Sequence, residues 1–358
     1  MTRDSRSALV ALNRFGFGAR GGASGDFVNA ASDPRGFVKA DLARPAAALL
    51  EVPGLQSTAA LAKAIFQYQF EQQQARAAKA AAPSEAPSPQ AAPEEKLPRR
   101  DLSLSHVAMN ISPKEPQAAS GNNAAVNTMT PPETMQPGAN AQPNPPKPAP
   151  PPLNVIQKTF RAEALARVQR AVLAECGFAE RLVVFWSNHF CISAIKGGLA
   201  RMWAGSFERE AIRPHVFGRF ADMLVAVEQH PAMLFFLDNQ QSLGPESRAG
   251  INRHRGLNEN LAREIMELHT LGVNGGYSQD DVTSFARVIT GWTFAGRQGF
   301  LGEPGTFVFN ANAHEPGAQR VLGKVYEAGG LAQGEAVLSD IARHPSTAKF
   351  IATKFARH

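Results

Sequence analysis

The chain has 358 residues, of which 44% are hydrophobic and 19% are charged, with a formal net charge of +6. This is the composition of a globular protein with enough apolar residues for a sizeable core. The sequence has no run of about 18 apolar residues, so it predicts no membrane span. Its two cysteines, Cys176 and Cys191, exclude a disulfide scaffold and a Cys-rich zinc module. Its basic residues form no block, so there is no specific nucleic-acid signal.

The first residues, MTRDSRSALVALNRFGFGAR, carry charges but lack the apolar core of a signal peptide. The sequence therefore predicts a cytoplasmic protein. The first strong helical pattern follows at Ala59–Ala81, where Leu61 and Ile65 belong to one apolar stripe. We expect residues 1–80 to be the N-terminal helical part of a domain.

Residues 81–152 differ in composition from the rest of the chain. Of the 26 prolines, 17 lie between Pro83 and Pro152, and large apolar residues are scarce there. Proline lacks the amide donor and fixes φ, so helices and sheet ladders cannot propagate, and little apolar surface offsets the entropy of ordering. We predict a disordered Pro/Ala-rich insertion in one domain, whose main helical part is 153–358. A solvated linker is the simplest interpretation, and a Pro-rich ligand for a partner module is the alternative.

Apolar residues recur at helical spacing along the rest of the chain. The predicted helices are Arg161–Cys176, Glu180–Phe190, Phe217–Val227, Asn258–Gly272, Gln279–Gly291, Gly330–His344 and Ser346–His358. Asn258 and Ser278 are the predicted N-caps of two of them. Strand patterns are weak, and Gly305–Asn310 with Gln319–Val325 predicts one short β-hairpin. The predicted fold class is mainly α, a multi-helix single domain.

The last predicted helix reaches His358 in mid-pattern, without the Gly or Asn that usually follows a helix. Its final carbonyl groups would lack a capping partner. We therefore expect the C-terminus of the domain to be incomplete.

The densest polar segment lies in one predicted helix, NENLAREIMELH. At about 100° per residue, Asn260, Glu264 and Glu267 fall on one stripe, and Glu259 forms an adjacent i,i+4 pair with Arg263. Two carboxylates and an amide on one face could bind a hard divalent cation such as Mg²⁺ or Ca²⁺, or supply an acid–base pair. The alternative is a solvent-facing helix with salt bridges along its surface.

Histidines and an acid–amide pair provide further candidates. His189 lies beside bulky aromatic residues near the end of a predicted helix, and His314 lies in a loop. Each could move protons, although a lone histidine beside aromatic residues is more often a hydrogen-bonded core residue. Asp238 and Asn239 directly follow the apolar run AMLFFL, where they could cap the next segment or contribute to a site.

Several motifs of known chemistry are absent from the sequence. There is no Walker A motif, no GxGxxG between a strand and a helix, no GxSxG nucleophile elbow and no HExxH zinc motif. Composition and spacing alone therefore identify no reaction.

Longer motifs lie on both sides of the insertion. They are ERLVVFWSNHF, AMLFFLDNQQS, GLNENLAREIMELHTLGVNGGYSQDDVTSFARVITGWTF, NANAHEPG, VLGK and HPSTAKFIATKFARH, with ALNRFGFGAR near the start. Together they resemble the bacterial family of unknown function called DUF1800. The resemblance implies a longer C-terminal part, relatives that are often exported, and a neighbouring gene family that makes a partner protein a candidate.

The resemblance also selects polar residues at recurrent family positions. They are Asn188, His189, Asp238, Asn239, Asn258, Glu259, Asn260, Arg263, Glu264, Glu267, Thr290, Gly291, Trp292, His314, His344, Arg357 and His358. Helical bundles can gather residues from several helices into an interior site. The resemblance thus favours an interior polar or metal site over separate solvated faces.

The leading hypothesis is an enzyme of unknown substrate, either a metal-assisted hydrolase or an acid–base catalyst. In it, Glu264 and Glu267 bind a divalent cation or act as bases, while His189 and His314 move protons. The alternative is a non-catalytic helical binding or assembly protein whose polar cluster fixes packing specificity. Bound metal in the purified protein would distinguish the two.

Overall fold

The described part of the chain is mostly helical, which confirms the predicted mainly α class. The computed structural model describes residues 5–19, 26–81, 152–251 and 256–358, so the predicted insertion lies outside the described residues apart from its two ends. The α-helices in these ranges are α1 (Ser5–Phe15), α2 (Asp26–Ser32), α3 (Pro34–Leu42), α4 (Thr58–Ala81), α5 (Val155–Leu173), α6 (Phe178–His189), α7 (Gly198–Phe207), α8 (Phe220–Glu228), α9 (Pro231–Phe236), α10 (Asn260–Glu264), α11 (Gln279–Val288), α12 (Leu331–Ala342) and α13 (Pro345–Arg357). Among these described helices, none is long and apolar enough to cross a bilayer.

Side-chain caps explain where two of the helices begin. The Ser278 hydroxyl accepts from the Asp281 amide and the Asp281 carboxylate accepts from the Ser278 amide, which confirms the predicted N-cap of α11. Asn154 and Gln157 make the same reciprocal pair at the start of α5. This cap explains why α5 begins several residues earlier than its apolar periodicity indicated.

The helix predicted over 258–272 is interrupted. After α10 the chain continues as a π-helical turn, Ile265–His269. The Asn258 N-cap was wrong by one position, since Glu259 occupies the cap and the Asn258 side chain accepts from the Asn260 amide. A π-helical turn is wider than an α-helical one, so residues after Glu264 are rotated from the stripe that a regular helix would form.

The strands form two short antiparallel pairs. Within the described residues these are β1 (Trp292–Phe294) with β2 (Phe307–Phe309) and β3 (Gln319–Val321) with β4 (Lys324–Tyr326). The predicted hairpin was therefore wrong in its pairing, although both of its segments contain strands. Leu322 and Gly323 have φ values of 51° and 76°, the left-handed pair of a two-residue hairpin turn. The segment after Gln319 consequently folds back on itself instead of pairing with β2.

One hydrophobic core joins helices from both sides of the segment 82–151. Leu61 and Ile65 of α4 are buried in the same cluster as Trp203 of α7 and Phe285 of α11. Burying each of these side chains contributes roughly 1.5–3 kcal/mol. The two parts of the chain belong to one compact unit, within which α6 and α13 are positioned.

A buried ion network fastens α6 to the core. The fully buried Arg213 guanidinium donates to both carboxylate oxygens of Glu180, at 2.7 and 2.9 Å, to Glu208 at 2.9 Å and to the Ala48 carbonyl at 2.8 Å. Burial opposes the charge of Arg213, but the hydrogen bonds and charges of the two carboxylates outweigh it and raise its pKa. Because each charge is paired inside the protein, the network is structural.

Candidate functional site

A cleft opens at the surface between α6 and α13. Its lining residues are Phe185, Asn188, His189, Lys354, Arg357 and His358. The cleft volume is about 370 Å³, which is within the range of small-molecule sites. The rings of Phe185 and Phe355 stack with centroids 3.9 Å apart, so aromatic packing between the two helices supports the cleft.

His189 lies at the end of α6 and is buried. Its Nε2 is 2.9 Å from the His269 carbonyl oxygen and its Nδ1 is 2.8 Å from Lys354 Nζ. Because a carbonyl only accepts, the proton of the neutral ring belongs on Nε2, which leaves Nδ1 as the acceptor for Lys354. Burial, followed by the charge of Lys354, lowers the pKa of His189 to about 3. The imidazole is therefore neutral near pH 7.

Lys354 projects from the last turns of α13 and is half-buried. Its Nζ donates to His189 and lies 5.2 Å from the centroid of the Phe350 ring, in a cation–π contact. Burial lowers the pKa of Lys354. A lysine in such surroundings keeps a larger neutral fraction than one in water.

A second buried pair lies behind His189. His269 Nδ1 is 2.8 Å from Glu228 Oε1, and their side chains are 5% and 0% exposed. The π-helical turn ends at His269 and directs its carbonyl to His189. Glu228 Oε2 is buried without a hydrogen-bond partner among the described residues, an arrangement that costs stability. The contacts from Glu228 to the His269 ring, from the His269 carbonyl to His189 and from His189 to Lys354 thus connect an interior carboxylate with the cleft.

The lining of the cleft is positively charged. Arg357 lies three residues after Lys354, so the two side chains share one face of α13. None of the described lining residues is acidic. The Asn188 side chain is exposed at the rim, and the His358 ring meets Phe185 edge-on at 5.3 Å. The arrangement is suited to binding an anion by charge-assisted hydrogen bonds.

The structure brings together four of the residues that the sequence and the resemblance selected, namely Asn188, His189, Arg357 and His358. The other selected residues lie in separate places, and most of them make structural contacts. His344 begins α13, where its Nδ1 accepts from the Ser346 amide.

Asp238, Asn239 and Asn258 hold the chain at the end of α9. The Asn258 amide donates to the carbonyls of Leu237 and Asp238, and Asn239 donates to the carbonyls of Ile289 and Trp292. Asp238 itself has a left-handed φ of 58°. The two amides thus satisfy backbone carbonyls where the chain turns, whereas the Asp238 carboxylate pairs with Lys196 and makes no side-chain cap for the following turn, Asn239–Gln241.

Glu259 and Arg263 form the predicted i,i+4 pair, at 3.0 Å. Glu259 also accepts from Thr283 and Gln279 of α11. The hydrogen bond from Thr283, and those from its other partners, lower the pKa of Glu259. The pair therefore lies at the surface and connects the start of α10 to α11.

Asn260 is exposed, whereas Glu264 and Glu267 are half-buried. Burial and the charge of Glu267 raise the pKa of Tyr277, which places this carboxylate near the phenol. The described residues contain no group of three or more His, Cys, Asp or Glu side chains able to hold a metal ion. The cation site at Glu264 and Glu267 stays a prediction.

His314 lies beside the β-strands and not in the cleft. Its Nδ1 contacts the Thr290 carbonyl at 3.0 Å and its ring packs edge-on against Phe309. Next to it, the Glu315 carboxylate accepts from the Glu246 amide. These contacts fasten loops together and leave the proton-moving role of His314 a prediction.

Three residues of the site were not predicted from the sequence, namely Lys354, His269 and Glu228. Lys354 had a local signal, because it shares a helical face with Arg357, one of the selected residues. His269 lies inside the longest motif, but nothing local distinguishes it from a core histidine. Glu228 carried no signal, since an acidic residue at a helix end usually faces water.

Comparison with known proteins yields one match. No curated protein matches the chain, and neither does any solved structure. The model of the family described as a protein of unknown function, DUF1800, matches residues 10–358. Because the match spans essentially the whole chain, this protein belongs to the DUF1800 family.

Proposed function

We propose that the protein binds a small anionic ligand in the cleft between α6 and α13. The observation that carries this proposal is the pairing of Lys354 with the neutral His189 beside Arg357, in a lining without acidic side chains. A neutral histidine holds the ammonium group without cancelling its charge. Both cations are therefore available to an anion from solution.

An acid–base role falls to the same pair in this proposal, whereas the sequence had predicted Glu264 and Glu267 as bases with His189 and His314 moving protons. Lys354 can give or take a proton because its pKa is lowered by burial. His189 positions the lysine nitrogen by accepting from it. The metal-assisted form of the enzyme hypothesis would rest instead on Glu264 and Glu267, whose carboxylates could bind a hard divalent cation.

Isothermal titration calorimetry with sodium oxalate and with inorganic phosphate tests the proposal. Lys354→Gln and Arg357→Gln each remove a cation from the cleft, whereas Lys349→Gln removes an exposed one from the same helix. A lost charge-assisted hydrogen bond costs about 1.5–3 kcal/mol, which is roughly a tenfold or greater loss of affinity. Lys349→Gln should bind like the wild type. If neither anion binds, or if all three variants bind equally, the proposal fails.

A second observation favours the binding or assembly alternative. Leu165, Val168 and Leu173 on α5 are 57%, 58% and 72% exposed. Neighbouring exposed apolar side chains of this kind are typical of a surface that another protein covers. Sedimentation velocity would detect self-association of the wild type, and Leu165→Glu should reduce it if this surface is the interface.

A further inference from the structure

We propose, resting on the anion-binding function, that the ligand is a 2-oxo acid and that Lys354 forms an imine with its carbonyl carbon. The proposal starts from the position of Lys354 Nζ. It lines the cleft, where a ligand can reach it, and it is held 2.8 Å from His189 Nδ1.

The His189 ring, which accepts from Lys354, is held in place by a hydrogen bond at its other nitrogen. His189 Nε2 lies 2.9 Å from the His269 carbonyl, so the ring cannot turn without losing that hydrogen bond. Its lone pair on Nδ1 therefore keeps one N–H bond of Lys354 directed into the protein. The rest of the amine faces the cleft, and His189 acts as a positioning residue.

Half-burial lowers the pKa of Lys354, so a larger fraction of it is the neutral, nucleophilic amine than for a lysine in water. A lysine that is desolvated or close to another cation is activated for attack on carbonyl groups. Burial of Lys354 meets the first of these two conditions.

Arg357 also explains why the carbonyl compound would be an acid. A guanidinium binds a carboxylate through two parallel hydrogen bonds, and the spacing of three residues places it one helical turn from Lys354. A carboxylate held by Arg357 would bring the adjacent carbonyl carbon towards Nζ. This geometry selects a 2-oxo acid over a simple aldehyde.

The reaction needs no oxidant or reductant. The lone pair of the neutral amine forms the C–N bond while the carbonyl π electrons move to oxygen, and a proton passes from nitrogen to that oxygen. The nitrogen lone pair then forms the C=N bond as the hydroxyl leaves with the second N–H proton as water. Amine and carbonyl thus give imine and water.

The test is reductive trapping on the full chain. Glyoxylate is added with sodium cyanoborohydride, which reduces an imine to a stable secondary amine, and peptide mapping by mass spectrometry locates the carboxymethyl group. We expect Lys354 to be modified at least tenfold faster than Lys349, the exposed lysine of the same helix. Oxalate should suppress the modification of Lys354 and leave that of Lys349 unchanged. In Arg357→Gln, the preference for glyoxylate over acetaldehyde at Lys354 should disappear.

Equal modification of Lys354 and Lys349, or no modification of Lys354, would overturn the imine proposal. The outcome is separable from the fate of the proposed function. If oxalate binds in calorimetry and trapping fails, only the imine is wrong. If oxalate does not bind and Lys354 is not trapped, both proposals fall. His189→Gln gives a further readout: trapping should slow at Lys354 alone, whereas a purely structural role would change the melting temperature and leave the ratio of the two lysines unchanged.

Discussion

Replacing Glu180 by glutamine removes one charge from the buried ion network and keeps the shape of the side chain. In the wild type, Arg213 donates to both oxygens of Glu180 at 2.7 and 2.9 Å. The two side chains are 0% and 2% exposed, so water cannot replace the lost partner. Arg213 retains Glu208, but Glu180→Gln leaves the guanidinium with one carboxylate where it had two.

The expected loss follows from this burial. Breaking a buried ion pair from one side costs about 3–5 kcal/mol, and because Arg213 keeps Glu208 as a partner, we expect a loss at the lower end of this range. For a domain of this size each kcal/mol corresponds to roughly 2–4 °C in melting temperature. We therefore expect a decrease of about 10 °C, measured by circular dichroism during thermal unfolding and supported by urea titration.

Glu259→Gln is the matched control, because it makes the same chemical change at an exposed pair. Glu259 and Arg263 are 30% and 42% exposed, and such pairs contribute about 1 kcal/mol or less. If Glu180→Gln and Glu259→Gln lower the stability equally, the assignment of the Arg213 network as a structural element of the core is refuted.

Three further predictions address pH, charge and backbone. The folded-state pKa of His189 is lowered to about 3 from 6.5, so only the unfolded chain takes up this proton between those values. This residue should therefore lower the free energy of unfolding by about 1.4 kcal/mol for each pH unit below 6.5, and urea titrations from pH 7 to 4 should show a shallower dependence in His189→Gln. Glu267→Gln should change the stability by less than about 0.5 kcal/mol and lower the pKa of Tyr277 in an ultraviolet titration, whereas loss of a bound cation would support the metal hypothesis. Gly291→Ala should destabilise the fold by about 1–3 kcal/mol, because Gly291 has a φ of +80° and an added Cβ would lie 2.5 Å from the Asn310 carbonyl oxygen. Thermal unfolding measures this loss, and Gly296→Ala, whose Cβ would meet no atom within 4 Å, should be nearly neutral.

Local chemistry determined much of the secondary structure. Ser278 and Asp281 cap α11 through contacts over three residues, and such contacts are written in the sequence itself. The pairing of the strands, in contrast, does not depend on residues that are close in the sequence. β2 pairs with β1, a strand of only three residues that the sequence pattern did not predict, so the partner of the segment Gly305–Asn310 was decided by packing.

The candidate site shows the same difference between what the local sequence determines and what packing determines. The sequence and its resemblance identified His189 and Arg357 as polar residues outside the ordinary pattern of a core or a surface. They could not show that His189 meets Lys354, which lies 165 positions away in the chain. A helix cap depends on a few neighbouring torsion angles, whereas this contact depends on how α6 and α13 pack and on the π-helical turn that aims the His269 carbonyl. Which polar residues belong together is therefore a property of the tertiary structure, because side chains distant in sequence meet only when the helices that carry them have packed.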